Sequence, residues 1–252
     1  MNMLWHEMDS VLHGDPAVMT HMPFLALGLR AAPVLFYCRS GRGDLHPLSG
    51  SRVWKLAAAT GIGGSIAAVR ALDTGFAADV CECSPAGWRD EAGWHVTFVA
   101  GGGACGDPRF RLYRMDGSDL RHLGAPAYVL PASAGFQHRE RLVHAVTGDR
   151  VHVREPGGDR EIDLPGRFIY RVSYRADDPD VLLITGQPHA GGDVFTIEHD
   201  LRSGEQRLLE CDGTPAYKPT LLGDTMLYAE KIGEGFESRR IRRGTPSRRA
   251  MV

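Results

Sequence analysis

A phrase of strand, tight turn and strand recurs five times along this chain, and such a recurrence restricts the fold more than any single element can. It is clearest between Gly93 and Leu123. There Trp94, Val96 and Phe98 alternate with His95 and Thr97, Phe110 and Leu112 alternate with Arg111 and Tyr113, and Asp116-Gly117 precedes Leu120 to Leu123. Period-two alternation marks strands, and Asp-Gly between two of them marks a hairpin. The turn glycines Gly61, Gly117, Gly157 and Gly204 stand 56, 40 and 47 residues apart, a period that fits four-stranded propeller blades.

Each repeat is expected to hold four strands. The first holds Met22 to Leu29, Val34 to Arg39, Arg52 to Ala57 and Ser65 to Arg70, with its turn at Thr60-Gly61. Alanine-rich Val53 to Ala59 and Ile66 to Leu72 admit a competing reading as short helices. The second holds Ala78 to Cys83, Trp94 to Ala100, Phe110 to Met115 and Leu120 to Leu123. The third holds Ala127 to Pro131, Arg141 to Val146, Arg150 to Arg154 and Arg160 to Leu164. The fourth holds Ile169 to Tyr174, Val181 to Thr185, Val194 to Glu198 and Gln206 to Leu209. The fifth offers Ala216 to Pro219, Thr225 to Ala229 and Ser238 to Arg242 but lacks a fourth strand, which the strand-like segment Met1 to Met8 would supply.

The expected fold is therefore all-β, with 31 glycines and 15 prolines serving many turns. It is a single five-bladed β-propeller of four-stranded antiparallel blades over residues 1–243, the last blade closed by the N-terminal strand. The blades fall at about 13–72, 73–124, 125–165, 166–212 and 213–243, and 244–252 reads as a basic tail.

Val34-Leu35-Phe36-Tyr37-Cys38-Arg39-Ser40 followed by Val53-Trp54-Lys55-Leu56, and Leu112-Tyr113-Arg114-Met115-Asp116-Gly117, resemble the blade repeats of TolB-type β-propellers. The turn that this family places between its first two strands is degenerate here, retained in part as Ser84-Pro85-Ala86-Gly87. The resemblance implies binding at the mouth of the channel, and some TolB-like propellers that act as sugar-acid lyases hold a metal there through histidines.

A formal charge of -2 gives the body no field of the kind that nucleic-acid binding needs. Six arginines, Arg239, Arg240, Arg242, Arg243, Arg248 and Arg249, crowd the last stretch and suit a protein partner or self-assembly. The first ten residues contain Glu7 and Asp9 and do not read as a signal peptide, and no apolar run is long enough to span a bilayer. Five irregularly spaced cysteines do not form a disulfide framework, so a reducing interior is the expected compartment, from which the chain could enter a larger particle.

Loops joining second to third strands, and those joining one blade to the next, gather around one end of a propeller channel. They bring Arg42, Asp44, His46, Asp107, Arg109, His189, Asp193 and Lys231 as candidate ligand-binding residues. Asp15, Asp73 and Asp212 are candidate carboxylates for a glycosidase, which needs one as acid and another as nucleophile or base. His21, His46 and His189 are weak candidates for a metal, and no cofactor is expected. The primary reading is a non-catalytic binding or assembly module, a part of a complex such as a phage tail or a glycan-binding protein. The alternative is a polysaccharide-active hydrolase or lyase at the channel mouth. If Met1 to Met8 closes the last blade, deleting residues 1–10 sharply lowers the melting temperature, and an unchanged melting curve rejects the closure.

Overall fold

A computed structural model describes residues 18–28, 31–45, 47, 52–62, 65–102, 111–123, 136–138, 141–147, 149–155, 157–175, 177–189, 191–231 and 239–251. They contain strands and no helix, which settles the alanine-rich segments of the first repeat as β-structure. Blade 1 comprises β1 (Met19–Gly28), β2 (Ala31–Ser40), β3 (Lys55–Ile62) and β4 (Ser65–Ala71). Blade 2 comprises β5 (Val80–Asp90), β6 (Gly93–Gly102), β7 (Arg111–Asp116) and β8 (Asp119–His122), and joins blade 1 through a single parallel pairing of Gly28 with Arg89. Blade 3 comprises β9 (Phe136–His138), β10 (Arg141–Thr147), β11 (Arg150–Glu155) and β12 (Gly158–Asp163). Blade 4 comprises β13 (Arg167–Tyr174), β14 (Val181–Pro188), β15 (Phe195–Asp200) and β16 (Gln206–Cys211), extended by the short β17 (Thr214–Pro215). Blade 5 has three strands among the described residues, β18 (Thr220–Leu222), β19 (Thr225–Lys231) and β20 (Arg239–Gly244). Within each blade the strands pair antiparallel in chain order, as the repeats require. The fold is a five-bladed β-propeller.

The apolar runs have a simple cause: in a ring of blades both faces of most sheets are covered. Val34, Phe36 and Cys38 on one face of β2 pack into the large core shared with blade 2. Leu35 and Tyr37 on its other face meet Leu222, Leu227 and Ile241 of blade 5. Leu182 and Ile184 of β14 likewise enter the large core, while Leu183 packs with Leu221 and Met226 of blade 5. Successive side chains along one strand thus serve two neighbouring interfaces. The blade 1 to blade 5 seam closes the ring, and there the Ile241 N–H donates to Thr20 Oγ1 (3.1 Å). Met1 to Met8, the segment expected to complete blade 5, lies outside the described residues, as does Ala127 to Pro131.

Several boundaries differ from those expected. β3 continues through Thr60-Gly61 to Ile62, which pairs with Ser65, so the expected turn is displaced towards β4. Ala216 to Pro219 is buried beside the axis ahead of β18 instead of forming the first strand of blade 5. The basic tail is corrected in full: β21 (Pro246–Ala250) pairs antiparallel with β16, from Arg207↔Ala250 to Cys211↔Pro246. Its two arginines, Arg248 and Arg249, are adjacent and so point to opposite faces of the strand, and β16 offers an open edge. Gly244 lets the chain reach that edge, because a Cβ there would collide with Cys211 Sγ.

The innermost strands interrupt their ladders near mid-height. Register shifts fall between His21 and Phe24 in β1, between Cys83 and Ala86 in β5, and between Ile169 and Arg171 in β13. Pro23 and Pro85 occupy the first two breaks, where a residue without an N–H costs no ladder bond. Across the axis from β13, Arg171 donates Nη2 to Pro23 O (2.7 Å) and Nη1 to Lys218 O (2.9 Å). The side chain of blade 4 thereby ties blade 1 to blade 5. It is 1% exposed, and burial pushes its pKa down to about 10, so it stays charged at neutral pH. Replacing Arg171 with Met leaves two buried carbonyls without their donors, and a loss of about 2–4 kcal/mol is expected from urea unfolding. R171K should recover part of it; a loss below about 0.5 kcal/mol would show that the ring does not depend on this clasp.

Candidate functional site

Alternating strand direction puts the starts of the first and third strands, and the ends of the second, at one end of the ring. This is the mouth. On blade 4 it is built from the first residues of β13, the last of β14 and the first of β15. Arg167 pairs with Pro188, Phe168 with Gln187, and Gly186 with Phe195 across the ladders. The Arg167 guanidinium lies over the Phe195 ring, 5.2 Å from its centroid, and the Phe168 ring stands 6.3 Å from that of His189. The His189 N–H donates to Gly166 O (2.8 Å), which anchors the loop bearing exposed His189 and Asp193. Gly186 makes the arrangement possible: a Cβ there would stand 2.6 Å from Phe168 O and 2.9 Å from Phe195 Cζ. Phe168 and Phe195 are both half-buried, and Phe195 packs against the large apolar core.

Of the residues selected from sequence, His189 and Asp193 share this rim. Arg42 and Asp44 are exposed on the β2–β3 loop, where Asp44 Oδ2 accepts from the Gly41 N–H (2.6 Å) and closes its own turn. Asp73 is exposed and accepts from the Gly75 N–H (3.1 Å). Asp212 is exposed at φ 51°, with Cys211 Sγ 3.6 Å from its Oδ2. That thiol is pushed up by burial and by the Asp212 charge, and neighbouring Tyr228 is pushed up to about 12, chiefly by burial. Asp15, His46, Asp107 and Arg109 lie outside the described residues, and for His21 and Lys231 only the backbone is described, within β1 and β19. No group of three or more His, Cys, Asp or Glu side chains suited to a metal occurs among the described residues.

Sequence reasoning passed over Arg167, Phe168 and Phe195. The available signal was an Arg-Phe pair directly after the Pro165-Gly166 turn, where a strand must begin. It also passed over Glu82, a fully buried carboxylate near the mouth end of β5. Its oxygens take Lys55 Nζ (2.8 Å), Thr74 Oγ1 (2.7 Å) and the Leu56 N–H (3.2 Å), so it serves the blade 1 to blade 2 joint.

The C-terminal arginines require a correction. Arg248 pairs with nearly buried Glu198 through both Nε and Nη2, the latter at 3.0 Å. Arg249 reaches Glu210 (3.2 Å), and Arg242 reaches Glu230 (2.7 Å). β21 along β16 brings Arg248 and Arg249 to carboxylates of blade 4, and β20 beside β19 brings Arg242 to Glu230, so these three are engaged within the ring. For Arg239 and Arg240 the described backbone lies in β20.

Around Arg248 a cleft of about 230 Å³ opens on blade 4, lined by Arg175, Glu198, Asp200, Arg202, Arg207 and neighbouring residues. Arg202 bonds Asp178 (2.8 Å) and Asp200 (3.0 Å), and Arg207 bonds Glu205 (2.8 Å). Hydrogen bonds from Arg202 and the Ser203 N–H hold Asp200 well below the usual carboxylate range. An acid held ionised in this way is unsuited to donate a proton, so the cleft is an ion-pair network that fastens strands.

The chain can be compared with solved structures at this point. The structure of a family 117 glycoside hydrolase from the marine bacterium Zobellia galactanivorans superposes with a TM-score of 0.52 over 92% of this chain and 86% of that one, at 8% identity. The two share a fold. A protein of unknown function from Dyadobacter fermentans (TM-score 0.46, 11% identity, 94% of this chain and 84% of that one) and a Hadza microbial sialidase (0.40, 12%, 83% and 56%) are more distant and add nothing to that conclusion. No protein-family model matches the sequence, and no curated protein matches it.

Beside the cleft, Asp177 gives a test by pH. Burial works to raise its pKa, but the Arg175 hydrogen bond and the Gly223 N–H outweigh burial and hold it below the usual value. A depressed carboxylate contributes stability above its unfolded pKa, near 3.8, and loses it as pH falls through the folded value. Urea midpoints should therefore fall below about pH 4, and D177N should lower stability at pH 6 by about 1 kcal/mol or less while flattening that fall. An unchanged acid slope in D177N would assign the fall to other groups.

Proposed function

We propose that this chain is a glycan-active β-propeller that takes a polysaccharide segment at the mouth of its ring. One observation carries the reading: the mouth end of blade 4 carries a half-buried phenylalanine on each face of its sheet, Phe195 with Arg167 across its ring and Phe168 beside exposed His189. A sugar ring has an apolar C–H face and a rim of hydroxyls. Rigid aromatic rings cover the first and fixed polar groups pair with the second. The fold shared with a family 117 glycoside hydrolase supports the same reading. One of the motives for the assembly reading, an unengaged arginine-rich end, is weakened, because three of those arginines are engaged in ion pairs.

Asp73, Asp193 and Asp212 are exposed carboxylates on the connections that run to this end and are the candidates for turnover. A retaining glycosidase needs two carboxyls about 5–5.5 Å apart across the bond, and an inverting one about 6.5–9.5 Å. The test is a panel of soluble oligosaccharides read by calorimetry, with reducing ends and unsaturated products measured in the same mixtures. At least one should bind, F195A should weaken it tenfold or more, and D193N or D212N should abolish any product. No binding across neutral and acidic members rejects the reading.

A further inference from the structure

Where blades 3 and 4 meet, the polar part of the contact turns on one imidazole. His199 of β15 is 8% exposed and shares a face of its strand with Ile197, which belongs to the large core together with Val151, Val153 and Leu164 of blade 3. Its Nδ1 stands 3.2 Å from Gln206 Nε2 on the neighbouring strand β16. An amide nitrogen only donates, so this contact makes Nδ1 the accepting nitrogen of a neutral imidazole.

From blade 3, Arg160 of β12 crosses to blade 4 and donates Nη1 to Leu201 O (2.9 Å), two residues beyond His199, while its Nη2 holds Glu155 Oε1 (2.6 Å). The joint thus brings a guanidinium and a neutral imidazole to the same short stretch of chain. Among the described residues, β15 itself adds Asp200, already bonded by Arg202 (3.0 Å), and β12 adds Arg160, with Glu155 of β11 as its partner. β14 and β16 set Leu182 and Gln206 opposite His199, and neither titrates. Burial holds the imidazole below its ordinary value of 6.5; the Asp200 charge opposes this and the Arg160 charge adds to it.

We infer that His199 is a proton-operated latch of the blade 3 to blade 4 joint: neutral, it lets Arg160 bridge the blades, and protonated, it drives Arg160 off Leu201 O and loosens the contact. The protonated imidazole would be a buried cation, would face a second cation, and would point its Nδ1–H at the Gln206 amide N–H until that amide turned over. Release of Arg160 to solvent removes the like charge and admits water to the imidazolium. Because the folded chain takes up this proton less readily than the unfolded one, the stability that His199 contributes is complete above 6.5 and is lost as pH falls from there through the folded value. That window lies above the one set by Asp177, and the inference is independent of the glycan reading.

The experiment follows the intact chain by histidine side-chain NMR and by amide hydrogen exchange corrected for its intrinsic dependence on pH. The His199 resonance, assigned by its absence from H199Q, should titrate below 6.5, and R160Q should move its midpoint upward. Between about pH 7.5 and about pH 5, the amides of β12 and Leu201 should lose protection about threefold more than those of β19 and β20. H199Q should remove that difference, and H199N takes its place if H199Q does not fold. A midpoint at or above 6.5, a midpoint unmoved in R160Q, or a loss of protection spread evenly over the blades overturns the latch.

Discussion

The ring depends on a charge placed where charges are expensive. Arg171 crosses the axis from blade 4 to carbonyls of blades 1 and 5, and both acceptors belong to places where the innermost chain departs from regular ladder pairing. A purely apolar side chain in this place would strand those carbonyls. A guanidinium fills the space and supplies donors in several directions at once. Lys218 stands at φ 50° beside this cluster, a conformation that a non-glycine residue holds only when its surroundings over-determine it.

Around that centre, the blades are joined by unequal means. Blades 1 and 2 share the large apolar core and the saturated Glu82 carboxylate. Blades 4 and 5 share apolar contacts, the Asp177 bond to the Gly223 N–H, and the returning strand β21. Acids at the far end of the strands are taken up in fastening them to arginines, as in the Asp116–Arg114, Glu155–Arg160 and Asp200–Arg202 pairs.

Much of the architecture was legible because alternation and turn glycines are local signals. Gly117 and Gly204 stand at φ 62° and 75°, in turns where the sequence placed them. What escaped was long-range. Nothing in Arg171-Val-Ser-Tyr distinguishes a buried clasp from a solvent-facing strand arginine, since its partners lie 47 and 148 residues away. The C-terminal arginines read as available to a partner because their carboxylates, Glu198, Glu210 and Glu230, are distant or unremarkable in sequence. The site was half legible. His189 and Asp193 were found as loop residues, whereas Phe168 and Phe195 read as ordinary strand hydrophobics until the ladders placed both at the mouth end of blade 4.

The returning strand β21 also changes how the ring comes apart. Blade 5 is stitched to blade 4 twice, by the connection into β18 and by β21 on the edge of β16. Its junction with blade 1, among the described residues, relies on side-chain packing, the Thr20 bond and the Arg171 clasp. Among the described residues, the backbone pairing of β21 with β16 makes blades 4 and 5 one unit, so amide protons along β16 and β21 exchange together.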